Sequence, residues 1–171
     1  MEDTIESTVS LPEQCPPEAI ERWQRAIAEM TIGYKEDPGL DVIFDLAHDE
    51  IVISRGLGFN SLCEHHLFPF FGTVDIAYLP QDGIVGLSKL ARAVDVFSKR
   101  FQTQERMTAE IASTIEENLN PQGVAVIVRG VHTCQKCRGI KKNGEMITSV
   151  MRGVFRENES ARSELLNLLK L

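Results

Sequence analysis

Cysteine and histidine residues cluster in two short segments of this 171-residue chain, and this clustering restricts the fold more than any other feature. One segment reads CEHHLFP (63–69) and the other reads HTCQKCR (132–138). In a chain without a disulfide framework, such clusters are typical of metal binding or catalysis. Zinc binds thiolate and imidazole ligands in tetrahedral geometry. The sequence therefore predicts a fold that brings the two segments together around one metal ion.

Two interpretations of these residues remain open from their spacing. In the first, Cys63 and His66 join Cys134 and Cys137 in a closed Cys3His site that only stabilises the fold. In the second, Cys63, His66 and Cys134 alone bind the metal. The fourth position then holds water, whose pKa falls toward roughly 7 on zinc.

The alternation of side chains along a strand favours the second interpretation. A strand is predicted over 124–133, and if the extended chain continues, His132, Cys134 and Arg138 share one face while Cys137 points to the other. We interpret His65 as either a surface residue or a neighbour of the metal site. Cys15, beside two prolines, is interpreted as an unligated thiol.

Composition and charge restrict the class of protein. Hydrophobic residues make up 43% of the chain and charged residues 25%, as in an ordinary globular domain. A formal net charge of −7 disfavours broad nucleic-acid binding, which needs basic surface. No apolar run approaches the roughly 20 residues that span a bilayer, and the acidic N-terminus does not resemble a signal peptide. We therefore expect a cytoplasmic protein with neither nucleic acid nor membrane as a partner.

Hydrophobic periodicity predicts an α+β domain with a four-stranded antiparallel sheet and two long helices, together with an N-terminal helix and hairpin and a C-terminal helix. Residues 1–17 are expected to form a flexible tail, and 18–171 a single domain. Unpaired sheet edges predict self-association. The predicted helices are 18–30, 88–101, 104–119 and 159–169, and the predicted strands are 41–47, 50–58, 70–79, 124–133 and 146–155.

Polar residues at two helix starts indicate a site for an anionic ligand. Ser88 is predicted to be an N-cap, and Lys89 and Arg92 follow it in the first turn, where cations oppose the helix dipole unless an anion binds them. Ordinary surface charge explains these cations equally well. Gln104 and Glu105 begin the next helix. A carboxylate there complements the dipole, and it also matches the paired N1–H and 2-amino donors of guanine.

These segments, in this order, resemble the GTP cyclohydrolase I family. The resemblance runs over roughly residues 50–157, and Cys-Glu-His-His followed downstream by Gln-Glu-Arg and His-x-Cys is a highly specific pattern. The matching segments are SLCEHHLFPFFG (61–72), GLSKLAR (86–92), QTQERMT (102–108), HTCQKCRG (132–139) and TSVMRGVF (148–155).

The resemblance implies a role for each candidate residue. It implies a tunnelling fold, a homodecamer of two pentameric rings, one Zn²⁺ per subunit, and hydrolysis of GTP to 7,8-dihydroneopterin triphosphate and formate. By the resemblance, zinc is bound by Cys63, His66 and Cys134; acid–base chemistry belongs to His65, His132 and Ser88; the purine and ribose contact Ser88, Gln104 and Glu105; and the triphosphate is bound by Lys89, Arg92 and Arg138.

Two departures from the family pattern keep alternatives open. The N-terminal region is shorter than is usual in the family, and Cys137 stands where relatives usually lack cysteine. One alternative is therefore a non-catalytic assembly protein with a closed Cys3His site. Another is a tunnelling-fold enzyme of deazaguanine metabolism, whose nitrile reductases use a cysteine nucleophile without zinc.

Overall fold

The computed structural model describes residues 16–41 and 43–170. Most of the predicted tail (1–17), including Cys15, lies outside the described residues. None of the helices in this described part is both long and apolar enough to cross a membrane. The helices are α1 (Pro17–Met30), α2 (Leu87–Ser98), α3 (Gln104–Leu119), α4 (Thr133–Lys136), α5 (Val154–Glu157) and α6 (Glu159–Leu168). The strands are β1 (Ile43–Phe44), β2 (Val52–Cys63), β3 (Pro69–Leu79), β4 (Ile84–Val85), β5 (Phe101–Gln102), β6 (Gly123–His132) and β7 (Met146–Gly153).

Five strands form one sheet in the order β5-β2-β3-β6-β7. The four long strands pair antiparallel, and the two-residue β5 pairs parallel with the end of β2. In β3 the alternating residues Val74, Ile76 and Tyr78 point to one face of the sheet and join the same buried cluster. The predicted four-stranded antiparallel sheet is confirmed, with β5 as a short addition at its edge.

Helices cover both faces of this sheet. On one face α2 and α3 pack against the strands, and Ile111 of α3 and Val126 of β6 are fully buried there. On the other face Phe155 of α5 and Leu165 of α6 are fully buried in a second, smaller cluster. The first of these clusters is the larger, and it extends to the end of the sheet where β2 and β6 finish, since it includes Cys63 and Phe70.

The N-terminal helix is confirmed, but the hairpin predicted from residues 41–47 and 50–58 is not formed. Among the residues of the first range that the structure describes, only Ile43–Phe44 forms a strand, and it pairs with β4. The exposed segment 45–50 reads DLAHDE, which offers few apolar side chains to bury. β2 instead pairs with β3, to which a short turn connects it at low entropic cost.

The helix starts agree with the sequence in one case and differ in the other. The N-cap predicted at Ser88 is wrong, because α2 begins one residue earlier, after the N-cap Gly86. The carbonyl oxygen of Gly86 closes the first turn through the backbone, and no side chain caps this helix. α3 begins at Gln104 as predicted, and Thr103 caps it, since its Oγ1 accepts a hydrogen bond from the N–H of Arg106 at 3.2 Å.

Candidate metal centre and adjoining pocket

The CEHHLFP segment forms a tight turn between β2 and β3. The N–H of Cys63 donates to the carbonyl oxygen of Phe68 at 2.9 Å, and the carbonyl oxygen of Cys63 accepts from the N–H of Leu67 at 2.8 Å. Leu67 has a φ of 57°, in the left-handed region that sharp reversals use. The turn directs Cys63 and His66 to the same region, with Sγ of the first 3.9 Å from Nδ1 of the second.

A second turn brings the other segment to this place. β6 ends at His132, and the chain then forms the single helical turn α4. The predicted continuation of the extended chain is therefore wrong. Thr133 fixes the change of direction, because its Oγ1 donates to the carbonyl oxygen of Pro69 at 2.5 Å. As a result, Cys134 lies beside Cys63.

The predicted metal ligands are brought together by these two turns. The ligand atoms of Cys63, His66 and Cys134 all lie within 4.8 Å of one another, and no other residue in the described part of the chain joins the group. Ligands of a tetrahedral zinc ion are separated by roughly 3.6 Å, given metal–ligand distances of about 2.0–2.3 Å, so the observed spacing is close to that of a zinc site. Cys137 is exposed and outside the group, so the closed Cys3His arrangement is not present.

The chemistry of the two thiols also fits a cation. Burial raises the pKa of the Cys134 thiol, and the neighbouring Cys63 acts in the same direction. Two adjacent thiolates are therefore costly without a positive charge between them. A divalent cation reverses this balance, because it stabilises both ligands in their deprotonated form.

The two neighbouring histidines of the turn are both exposed, but they differ in their relation to the group of potential ligands. The Nδ1 atom of His65 lies 3.8 Å from Sγ of Cys63, but the His65 side chain is 64% exposed. Its Nε2 lies 4.0 Å from Oε1 of Glu64. Only His66 belongs to the group of potential ligands. His65 is therefore left at the solvent side, where a group that exchanges protons would be accessible.

His132 is held on two sides. Its Nε2 lies 3.0 Å from Oε1 of Gln104. The ring of Phe70 stacks on the imidazole with centroids 4.5 Å apart and planes 7° from parallel. Burial lowers the pKa of His132, while the carboxylate of Glu105 acts in the opposite direction. The imidazole is thus fixed in position and favoured in its neutral form.

Gln104 uses its whole side-chain amide inside the protein. Its Nε2 lies 2.9 Å from the carbonyl oxygen of Met146, and 3.2 Å from both the carbonyl oxygen of Val128 and Oγ1 of Thr148. These acceptors determine the orientation of the Gln104 amide. Oε1 of Gln104 therefore faces His132 and accepts a hydrogen bond from Nε2 of His132. A Cβ at position 130 would lie 2.4 Å from Oε1 of Gln104, so a larger residue there would displace this amide.

A pocket of about 220 Å³ lies beside the potential metal ligands. Its lining includes both predicted acid–base histidines, together with Gln104 and Glu105, two of the three residues predicted to contact the purine and ribose. Glu105 is exposed, whereas Gln104 is fully buried. The residues that line the pocket are Cys63, His65, His66, Thr103, Gln104, Glu105, His132, Cys134, Gln135 and Met146.

The predicted anion-binding residues do not reach this pocket within one chain. Ser88, Lys89, Arg92 and Arg138 are all absent from its lining. Nζ of Lys89 instead lies 3.3 Å from Oδ1 of Asp41. Arg92 borders a separate surface depression beside acidic residues. Within one chain, the pocket therefore contains the metal and base part of the predicted site, and the predicted cations lie outside its lining.

Sequence reasoning missed four residues that shape the pocket. Phe70 stacks on His132, and the lining also includes Thr103, Gln135 and Met146. Phe70 had a detectable signal, because it begins an alternating strand directly after the metal-type segment. Nothing in the local pattern marks Met146, which contributes its backbone carbonyl and depends on the pairing of β7 with β6.

Comparison with known proteins identifies relatives over most of the chain. The family model of GTP cyclohydrolase I matches residues 14–170. A GTP cyclohydrolase 1 from Rhodopirellula baltica is 48% identical over 155 residues, covering 89% of this chain and 68% of the relative. One from Streptococcus pyogenes is 47% identical over 152 residues, covering 86% and 78%. A Drosophila melanogaster relative is 48% identical over 153 residues, which is 87% of this chain but 47% of that protein.

A solved structure supports the fold. The crystal structure of the archaeosine synthase QueF-Like in the apo form matches with a TM-score of 0.50 at 17% identity, covering 63% of this chain and 97% of that chain. At this identity the likeness concerns the fold alone, so it does not favour a deazaguanine activity. Together with the antiparallel sheet and its helices, it confirms the α+β tunnelling fold.

Proposed function

Because the chain belongs to the GTP cyclohydrolase I family, we propose that it hydrolyses GTP to 7,8-dihydroneopterin triphosphate and formate. The observation that carries this proposal is the group Cys63, His66 and Cys134 beside the imidazole of His132. We assign one Zn²⁺ per subunit to these three ligands. Zinc bound by three protein ligands supplies a Lewis acid and a water molecule of lowered pKa for the hydrolysis.

Glu105 is the residue that recognises guanine. Its exposed carboxylate lines the pocket and lies close enough to His132 to influence the pKa of that residue. Two carboxylate oxygens can accept the N1–H and the 2-amino hydrogen of guanine together, which fixes the base in one orientation. The amide of Gln104 is occupied within the protein, so we assign it to hold His132 rather than to contact the purine.

His132 and His65 exchange protons with the substrate. The Nε2–H of His132 is engaged by Gln104, which leaves Nδ1 as the ring atom that takes up and releases a proton. The lowered pKa of His132 keeps this nitrogen available as a base near neutral pH. His65, at the exposed side of the pocket, is suited to proton exchange with the ribose and solvent.

Completion of the site requires a second copy of the chain. The pocket of about 220 Å³ is smaller than the roughly 300–1,000 Å³ of ordinary ligand sites. We therefore propose a homodecamer of two pentameric rings in which Ser88, Lys89, Arg92 and Arg138 complete the ribose and triphosphate part of a site shared between subunits. The outer edge of β7, which has no neighbouring strand among the described residues, is available for pairing between copies.

The test is turnover of GTP by the zinc-loaded full chain. Release of formate and the appearance of pteridine absorbance, both dependent on zinc, are the expected results. His132→Ala should lower kcat by about 10²–10⁴-fold, the usual contribution of a general acid or base. Cys137→Ser serves as the matched control and should retain activity. Zinc-loaded oligomer that releases no formate would refute the proposal.

A further inference from the structure

Glu64 lies inside the metal-binding turn, directly after Cys63 and two residues before His66. Its side chain is held by Arg106, whose Nη2 lies 2.5 Å from Oε2 of the carboxylate. Arg106 belongs to the first turn of α3, which also provides Gln104 to the pocket. This ion pair therefore joins the turn that carries two metal ligands to the helix that forms the opposite side of the site.

Arg106 is itself fixed by three contacts. Besides Glu64, its Nη2 donates to the carbonyl oxygen of Phe101 at 2.7 Å, and its Nε donates to Oε1 of Gln102 at 2.8 Å. Gln102 is 1% exposed, and its Nε2 donates to the carbonyl oxygen of Phe97 at 3.0 Å. The guanidinium is thus anchored on a buried, hydrogen-bonded base before it meets the carboxylate.

The backbone supports the same connection. The N–H of Glu64 donates to the carbonyl oxygen of Gln102 at 3.0 Å, and Cys63 pairs with Gln102 in the short parallel contact between β2 and β5. The turn is therefore tied to β5 by its main chain, and to Arg106 of α3 by the side chain of Glu64. We propose that Arg106 is a positioning residue for the metal site, acting through Glu64; this inference rests on the metal site proposed above.

The stability contributed by the ion pair between Arg106 and Glu64 does not by itself explain why the two residues are joined. A cation in the first turn of α3 opposes the helix dipole. The two side chains are 43% and 32% exposed, and ion pairs of that exposure contribute little to the stability of a fold. Orienting the turn would give Arg106 a function. Residues that hold metal ligands in place determine the geometry of those ligands, and their removal typically changes metal affinity by about 10–100-fold.

The experiment is zinc titration of the full chain against a chromophoric chelator, for the wild type, Arg106→Gln, Glu64→Gln and the double variant. If charge alone mattered, Arg106→Gln would tighten zinc binding, since a positive charge near the ion is lost, whereas Glu64→Gln would weaken it. The positioning role predicts that both single variants weaken zinc binding, by about tenfold. It also predicts that the double variant is no weaker than the single ones, because both changes break one contact.

Arg152→Gln is the matched control. Arg152 lies on β7 and forms an ion pair with Glu116 of α3 at the same distance of 2.5 Å. The two side chains are 29% and 45% exposed, similar to those of Arg106 and Glu64. Arg152→Gln should leave zinc affinity unchanged. The visible spectrum of the Co²⁺-substituted chain provides a second readout, since altered ligand geometry in Arg106→Gln should change its d–d bands while the Arg152→Gln spectrum matches the wild type.

Three results would overturn the inference in distinguishable ways. Wild-type protein that binds no zinc would remove the proposed metal site and the inference with it. Wild-type protein that binds zinc while Arg106→Gln binds it equally well or more tightly would remove the positioning role alone. Unequal, additive losses in the double variant would also contradict it, because the two residues would then act independently.

Discussion

Replacing Gln104 with leucine should lower kcat for GTP far more than it raises KM. The amide of Gln104 donates from Nε2 toward acceptors on β6 and β7 and accepts from Nε2 of His132 at 3.0 Å. Leucine has a similar volume but none of these polar atoms. The change therefore leaves the imidazole of His132 without its hydrogen-bond partner while the potential metal ligands stay in place.

The cost in stability follows from the lost hydrogen bonds. About three bonds at roughly 1 kcal/mol each are removed, and the apolar side chain recovers part of this, for a net loss of about 2 kcal/mol. For a chain of this size, about 2 kcal/mol lowers Tm by roughly 4–8 °C. The variant should therefore remain folded at 25 °C and be suitable for kinetics.

The cost in catalysis follows from the freedom gained by His132. Positioned acid–base groups contribute about 10²–10⁴-fold, so loss of orientation should lower kcat by at least about tenfold. Steady-state kinetics with formate detection measures kcat and KM separately. Thr148→Val is the control, because it removes one contact of Gln104, at 3.2 Å, and leaves the contact with His132 intact. It should lower Tm slightly with kcat nearly unchanged.

A large rise in KM with little loss in kcat would contradict the proposed role of Gln104. If Gln104→Leu raised KM strongly and left kcat near the wild-type value, the amide would contact the purine directly. The hydrogen bond between Gln104 and His132 would then have no role in the reaction.

Two other predictions concern the fold and the shared site. Burial raises the pKa of Tyr78, so the unfolded chain ionises near pH 10 while the folded chain keeps its proton; the resulting stability is complete below about pH 10 and falls as pH rises toward the folded pKa. Tyr78→Phe should remove that alkaline loss of stability. Near neutral pH the same change should cost about 1–3 kcal/mol, because the N–H of Val85 loses its acceptor at 3.1 Å. Thermal melting curves that match the wild type at both neutral and alkaline pH would contradict this. If sites are shared between subunits, Lys89→Glu and Cys134→Ser proteins, each inactive alone, should recover measurable formate release after joint unfolding and reassembly, whereas mixtures that stay inactive would argue for sites within one chain.

Local patterns predicted the elements whose structure depends on local interactions. The helix 104–119 has apolar residues at helical spacing and a threonine at position 103 that caps it, and both features are found. The strands around β3 and β6 alternate in the sequence and pair in register, from Phe70 with His132 to Leu79 with Gly123. The clustered cysteines and histidines likewise predicted that the two segments meet, but their spacing left open whether Cys137 joins Cys63, His66 and Cys134.

Features that depend on distant parts of the chain could not be predicted in this way. The pairing of β1 with β4 joins two residues at each side and leaves almost no periodic signal. The turn at Thr133 depends on a hydrogen bond to Pro69, which no local pattern contains. The engagement of Gln104 by β6 and β7 likewise arises only after the sheet has formed. The position of Lys89, which pairs with Asp41 outside the pocket, likewise depends on contacts between distant segments.

X-ray absorption at the zinc edge of the purified, zinc-loaded chain tests the central claim most directly. The account predicts two sulfur ligands, one imidazole nitrogen and one light oxygen ligand from water, unchanged in Cys137→Ser. Three sulfur ligands in the wild type, falling to two in Cys137→Ser, would show a closed structural site and contradict the proposed chemistry.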